Sequence, residues 1–70
     1  MFVDKTEIDH REDGTTVYME AYSHSVPSPM PTPASIGFDA SYKFRPGSTI
    51  YIVSTGALYM ADEDGSFVEQ

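Results

Sequence analysis

The sequence predicts a small all-β fold, and three observations support this prediction. Runs rich in β-branched and aromatic residues recur along the chain, the strongest being Thr49-Ile50-Tyr51-Ile52-Val53. Clusters of Gly, Pro, Asp and Glu separate these runs and supply the chemistry of tight turns. No segment combines a 3.6-residue apolar period with a cap at each end, so no helix is predicted.

The first region, residues 1–22, is predicted to form a β-hairpin. Residues 1–3 are a short apolar start, either a strand or a docking arm, and the strand over residues 15–22 follows the turn Glu12-Asp13-Gly14. A similar turn recurs at residues 63–66. By analogy between the two turns, we expect Ile8 to face Val17 and Thr6 to face Met19.

The second region, residues 23–40, is predicted to be an extended linker or arm. Its prolines occupy alternate positions, and this density excludes a sheet ladder and favours polyproline geometry. No basic residue flanks them, so a spacer or inter-subunit arm is a better interpretation than a peptide ligand. Ile36 and Phe38 are the expected anchors. The predicted arm residues are Pro27, Pro29, Pro31 and Pro33.

The third region, residues 41–70, is predicted to be an antiparallel meander of three to four strands. The turns are Pro46-Gly47-Ser48, a three-residue loop with Gly56 as bulge glycine, and a four-residue loop at residues 62–65. A two-residue loop at Thr55-Gly56 would mix aliphatic and aromatic side chains on one face. The expected facing pairs are Ile52–Leu58, Ile50–Met60, Tyr51–Tyr59, Met60–Phe67 and Tyr59–Val68.

This register gives the meander two apolar faces, which both need covering. One face is aliphatic with Phe67 at its end, and the other consists of Tyr51, Val53, Tyr59 and Val68. Covering layers are expected from the N-terminal half, from another subunit, or from both. The predicted core or interface residues are Ile50, Tyr51, Ile52, Leu58, Tyr59, Met60 and Phe67.

Length and charge limit the classes of function. A chain of 70 residues without cysteine makes a marginal core and gains no disulfide, so we expect oligomerisation, a trimer for preference, or docking on a larger partner. The net charge of −7 argues against binding to a nucleic acid backbone. The N-terminus carries acids early and is not a signal peptide, and no apolar run has the length of a membrane span.

No constellation of residues predicts catalysis, a cofactor or a metal. His10 and His24 lack the spacing of metal ligands, and residues 62–65 lack the glycine and glutamate positions of a calcium loop. Glu7 and Asp9 share one face of a strand, but no apolar neighbour would raise a carboxyl pKa. No nucleophile motif is present. The sequence therefore predicts a protein that is not an enzyme.

The C-terminal turns and strands carry a resemblance to a known group of proteins. The pattern Phe44-x-Pro46-Gly47-Ser48-Thr49-x-Tyr51, followed by Val53-x-Thr55-Gly56-x-x-Tyr59-Met60 and Asp64-Gly65-x-Phe67, resembles small structural proteins of tailed bacteriophages. It covers about the last thirty residues, and Phe67 stands where that group often has Trp. The resemblance implies a virion component: a capsid-decorating, minor head, head-fibre or fibre-base module.

Three functions follow as alternatives. The first is a non-enzymatic structural protein of a phage virion that associates with itself or with a major capsid or fibre protein, and it would be found in the virion. The second is a binding module for carbohydrate or a host protein that uses exposed tyrosines. The third is an acidic inhibitor that mimics nucleic acid. Outside a phage context, a cytoplasmic location is expected.

Overall fold

A computed structural model describes all residues, Met1–Gln70, and shows one mixed sheet of six strands. The only helical element is a one-turn 3₁₀ helix, Ala34–Ile36. The all-β class predicted from the sequence is confirmed. The strands are β1 (Phe2–Arg11), β2 (Gly14–Ser23), β3 (Lys43–Phe44), β4 (Thr49–Ile52), β5 (Ala57–Ala61) and β6 (Phe67–Glu69).

The N-terminal hairpin and the C-terminal strands share this one sheet, in the order β1-β2-β4-β5-β6. β2 pairs antiparallel with β1 and parallel with both β3 and β4, while β4, β5 and β6 pair antiparallel in succession. The sequence placed residues 42–45 in the antiparallel meander, and this is wrong. β3 and β4 run in the same direction, one after the other along the edge of β2.

The turn between β3 and β4 explains this arrangement. Pro46 and Gly47 occupy its centre, Gly47 has a φ of 93°, and the Ser48 N–H donates to the Arg45 carbonyl over 3.1 Å. The buried Ser48 hydroxyl accepts the Met19 N–H over 3.1 Å and donates to the Arg45 carbonyl over 2.8 Å. Ser48 thus fills the gap that the turn leaves in the ladder along β2.

The first hairpin follows the predicted register. Ile8 faces Val17 and Thr6 faces Met19, as expected, and the pair Arg11–Gly14 leaves a two-residue turn at Glu12-Asp13. A bulge between Val3 and Lys5 then shifts the register near the N-terminus.

The β4–β5 register differs by one residue from the prediction. Tyr51 faces Leu58, and Ile50 faces Tyr59, so the expected pairs Ile52–Leu58, Ile50–Met60 and Tyr51–Tyr59 are wrong. The loop has four residues, 53–56, and the Gly56 N–H closes it on the Ile52 carbonyl over 2.8 Å. Because side chains alternate along a strand, one extra loop residue moves every residue of β5 to the opposite face.

The β5–β6 register is also shifted by one residue. Met60 faces Val68, so the expected pairs Met60–Phe67 and Tyr59–Val68 are wrong. The last pair, Ala61 and Phe67, leaves five residues in the loop, one more than expected. Within it, the Asp62 N–H donates to the Ser66 carbonyl over 3.0 Å. The predicted positive φ is confirmed at both bulge glycines, with 76° at Gly56 and 88° at Gly65.

The core lies on one face of the sheet and is covered by the segment 24–42, called here the covering segment. Met30, Ile36, Phe38 and Tyr42 from this segment pack against the buried side chains. The small Ala61 in β5 shares this cluster with Phe44, whose ring lies 5.0 Å from that of Phe67. The buried core residues are Val17, Met19, Ala21, Phe44, Ile50, Ile52 and Ala61.

The predicted arm therefore packs on the sheet of its own chain. Pro33 is buried, whereas Pro27 and Pro31 are half-buried and Pro29 is exposed. Thr32 and Ser35 hold the turn together, since the Ser35 hydroxyl donates to the Thr32 carbonyl over 2.7 Å. The expected anchors Ile36 and Phe38 contact the core. A role for the prolines between subunits stays a prediction.

Candidate functional site

The face of the sheet opposite the core, called here the open face, has no covering layer. Ile50 and Ile52 are 0% and 1% exposed, while Tyr51 between them is 46% exposed. Successive side chains of a strand point to opposite faces, so Tyr51 belongs to the open face. Residues that face one another across the sheet lie on the same side, and the register therefore assigns the other members of this face.

A continuous row of apolar side chains crosses the open face. Phe2 faces Tyr22, Tyr22 faces Tyr51, and Tyr51 faces Leu58, so one residue from each of four adjacent strands stands in line. The Phe2 and Tyr22 rings stack with their centroids 4.9 Å apart. In the neighbouring row, Met60 faces Val68. We call Phe2, Tyr22, Tyr51, Leu58, Met60 and Val68 the open-face stripe.

Much of the open-face stripe is accessible to solvent. Phe2 is 54% exposed, Tyr22 is 42% exposed and Val68 is 47% exposed. Leu58 and Met60 are half-buried. None of the six side chains is charged, although the chain carries a net charge of −7. A contiguous exposed apolar patch of this kind is typical of a surface that binds another protein.

The structure divides the predicted core or interface residues between the two faces. Ile50 and Ile52 are buried in the core, and Tyr59 and Phe67 pack against it. Tyr51, Leu58 and Met60 lie on the open face. The one-residue shift of register thus moves Leu58 and Met60 away from the aliphatic face that the sequence suggested.

Charged residues border the stripe towards the first turn. Lys5 and Arg45 lie over the ring of Tyr18, at 5.8 and 5.3 Å from its centroid. Burial and then the nearby Glu20 raise the pKa of Tyr18. The apolar stripe therefore has a polar border with both signs of charge.

The residues that the sequence offered as weak candidates for chemistry, such as His10 and Asp9, have local partners and form no metal-binding group. The exposed His10 ring bonds the Thr15 hydroxyl over 3.1 Å, and Asp9 pairs with Arg11 over 2.6 Å. No group of three or more His, Asp or Glu side chains could hold a metal ion. No helix is long and apolar enough to cross a membrane.

Phe2 and Tyr22 belong to the stripe, but the sequence did not predict that they face one another. Extending the turn register from Ile8 and Val17 pairs Phe2 with residue 23, on the wrong face. The bulge at Asp4 absorbs one residue and brings the two rings together. The missing signal is the bulge itself, since no glycine marks it.

Comparison with known proteins assigns no family to this fold and face. No protein-family model matches the chain, and no curated protein and no solved structure was found to match it.

Proposed function

We propose that this protein is a non-enzymatic assembly module and that the open-face stripe is the interface through which two copies of the chain associate. The observation that supports this most is the unbroken row Phe2–Tyr22–Tyr51–Leu58, whose three aromatic side chains are exposed. Burial of apolar surface is the main favourable term in association, at about 25 cal/mol per Å² removed from water. The row offers such surface without unpaired charges.

A second copy is the occupant that fits the arrangement of the row. Its β1–β2 end is aromatic, and its β5–β6 end is aliphatic. A two-fold axis that lies between two facing sheets and runs parallel to their strands would lay the aromatic end of one copy over the aliphatic end of the other, so the same patch serves both partners.

The resemblance to phage structural proteins suggests where such a module would act. In a virion, the same stripe would dock on a capsid or fibre protein, which would take the place of the second copy. A two-fold pairing of faces closes at two copies, and the mass in solution separates it from the trimer expected from the sequence.

Sedimentation equilibrium of the purified chain tests the proposal. We expect a reversible monomer–dimer equilibrium in the micromolar range. Tyr51→Lys should shift it to monomer, because the charge would have to be buried in the interface. Ile8→Lys is the matched control, since Ile8 is 44% exposed and lies outside the stripe. Circular dichroism should show the same fold in all three proteins.

Several results would contradict the proposal. A wild-type monomer at all concentrations up to about 1 mM, where association is weaker than ~4 kcal/mol, would exclude self-association. Equal weakening by Tyr51→Lys and Ile8→Lys would show a general charge effect. A monomer that binds glycans through Tyr22 and Tyr51 would favour the carbohydrate-binding alternative.

A further inference from the structure

A polar cleft lies at the end of the sheet next to the first turn. Its volume is about 520 Å³, and its lining comes from the β1–β2 turn, from β2, and from the chain on both sides of β3. Pro46 and Glu63 complete the wall. The open-face stripe contributes no residue to it, so the cleft is a feature separate from the proposed interface.

The cleft concentrates the positive charge of an acidic chain. Of the four Lys and Arg residues in the sequence, three line it: Arg11, Lys43 and Arg45. The carboxylates of Asp13 and Glu63 also line it, and the carboxylate of Asp9 pairs with Arg11. With Asp9 counted, the charges at the cleft balance, whereas the whole chain carries −7. Charges beyond about 8–10 Å are screened at physiological salt, so a compact anion responds mainly to these nearby side chains and less to the net charge of the chain.

The three cations have donors that the protein leaves free. The guanidinium of Arg45 is held by stacking on the ring of Tyr18, 5.3 Å away, rather than by a hydrogen bond. Arg11 uses its Nε to bond Asp9, which leaves its terminal nitrogens. Lys43 donates to the Glu63 carbonyl over a long 3.3 Å and keeps two further protons.

Thr16 supplies an independent sign of a ligand. Its residue is only 8% exposed, and its hydroxyl is buried without any hydrogen-bond partner. Buried hydroxyls without partners are costly and rare in folded proteins. Thr16 lines the cleft and faces Lys43 in the β2–β3 register. Because the hydroxyl is buried, a ligand can reach it only after a neighbouring side chain moves.

We propose that this cleft binds a small phosphate ester, whose phosphoryl group is held by Arg11, Lys43, Arg45 and the Thr16 hydroxyl. Arginine and lysine are the usual partners of phosphate oxygens, and hydrogen bonds between ions are about twice as strong as neutral ones. The volume exceeds that of an inorganic phosphate ion and leaves room for the esterified group. The net charge of −7 disfavours a long polyanion.

Titration of ¹⁵N-labelled protein with glycerol 2-phosphate, followed by NMR, tests this assignment. We expect saturable shifts of the Gly14, Thr15 and Thr16 amides, which belong to the lining. Sodium chloride at equal ionic strength and free glycerol should not produce them. Inorganic phosphate should bind more weakly if the esterified group contributes, and equally if only the phosphoryl group is recognised; both results support an oxyanion site.

Charge-removing variants identify the donors. Lys43→Gln and Arg45→Gln should each weaken glycerol 2-phosphate binding at least about tenfold, because each removes a charge-assisted hydrogen bond. Lys5→Gln removes the same charge outside the cleft and should leave the affinity within about twofold. Equal losses in all three variants, or shifts that never saturate, would overturn the proposal.

The isosteric Thr16→Val variant separates a ligand role from a structural one. Loss of a hydroxyl without a partner should leave the melting temperature unchanged or raise it. The same variant should bind glycerol 2-phosphate several-fold more weakly. A lowered melting temperature with unchanged affinity would show that the hydroxyl serves the fold, and this result would contradict the assignment.

Discussion

The two faces of this sheet are built from the same strands, yet only one of them is covered. Ile50 and Ile52 point into the core and are almost fully buried, whereas Tyr51 between them is nearly half exposed. Both faces carry large apolar side chains. The difference lies in the covering segment, which supplies Met30, Ile36 and other side chains to one face only. Apolar composition alone therefore does not determine which face becomes the core.

The described chain contains one covering layer. Residues 24–42 lie over the core face, and nearly all the others belong to strands and the turns that join them. A sheet with one covered and one open apolar face leaves apolar surface in contact with water when the chain is alone. The core face accounts for the fold of the single chain, and we propose that the open face mediates the association of two copies.

The largest expected difference between the faces is in the free energy of unfolding. Ile50→Ala should lower it by about 2–5 kcal/mol, because Ile50 is fully buried and the change leaves a cavity. Tyr51→Ala should lower it by less than about 1 kcal/mol in the monomer, since nearly half of its surface already contacts solvent. Urea unfolding at a protein concentration too low for association measures the free energy of unfolding of both variants. Equal losses would show that the open face contributes to the fold of the monomer.

A smaller effect is expected at Ser48, which connects β3, β4 and β2. Ser48→Ala should cost about 1–3 kcal/mol, because it leaves the buried Met19 N–H without its acceptor. Ser54→Ala in the exposed β4–β5 loop is the matched control and should be nearly neutral. Thermal melts of the two variants measure the difference. If the two melt alike, the Ser48 hydroxyl does not substitute for the missing ladder bond.

The smallest difference concerns the two bulge glycines. Both have positive φ, so alanine at either position should cost about 1–2 kcal/mol. Gly65→Ala should cost more than Gly56→Ala, because a Cβ at residue 65 would lie 3.3 Å from the backbone of the buried Phe44. A Cβ at Gly56 would meet only the Tyr51 hydroxyl, at 3.8 Å. The opposite order in chemical denaturation would contradict this account of the two loops.

Local patterns allowed the sequence to predict the all-β class, the first hairpin register and the positive φ at Gly56 and Gly65. Turn chemistry is local, so Pro46-Gly47 and the bulge glycines follow from a few adjacent residues. The lengths of the last two loops differ from the prediction by one residue each, and both strand registers shift with them. A register depends on which side chains fill the core, and this is a property of the whole fold.

The two candidate sites were hidden for the same reason. The parallel pairing of β2 with β3 and β4 joins regions that are distant in sequence, and it brings Tyr22 to Tyr51 and Thr16 to Lys43. Parallel strands are not joined by a hairpin turn, so the sequence contains no turn signal from which this pairing could be predicted. The bulge at Asp4, which aligns Phe2 with Tyr22, likewise has no signal in the sequence.

The most direct test of the central claim is the concentration dependence of amide and side-chain NMR signals of the wild-type chain. We predict that shifts on association are confined to the open-face stripe, from Phe2 and Tyr22 to Tyr51 and Leu58. Signals of the covering segment, such as Phe38, should not move. Spectra that do not change with concentration, or changes centred on the covering segment, would contradict the claim that one face folds the chain and the other assembles it.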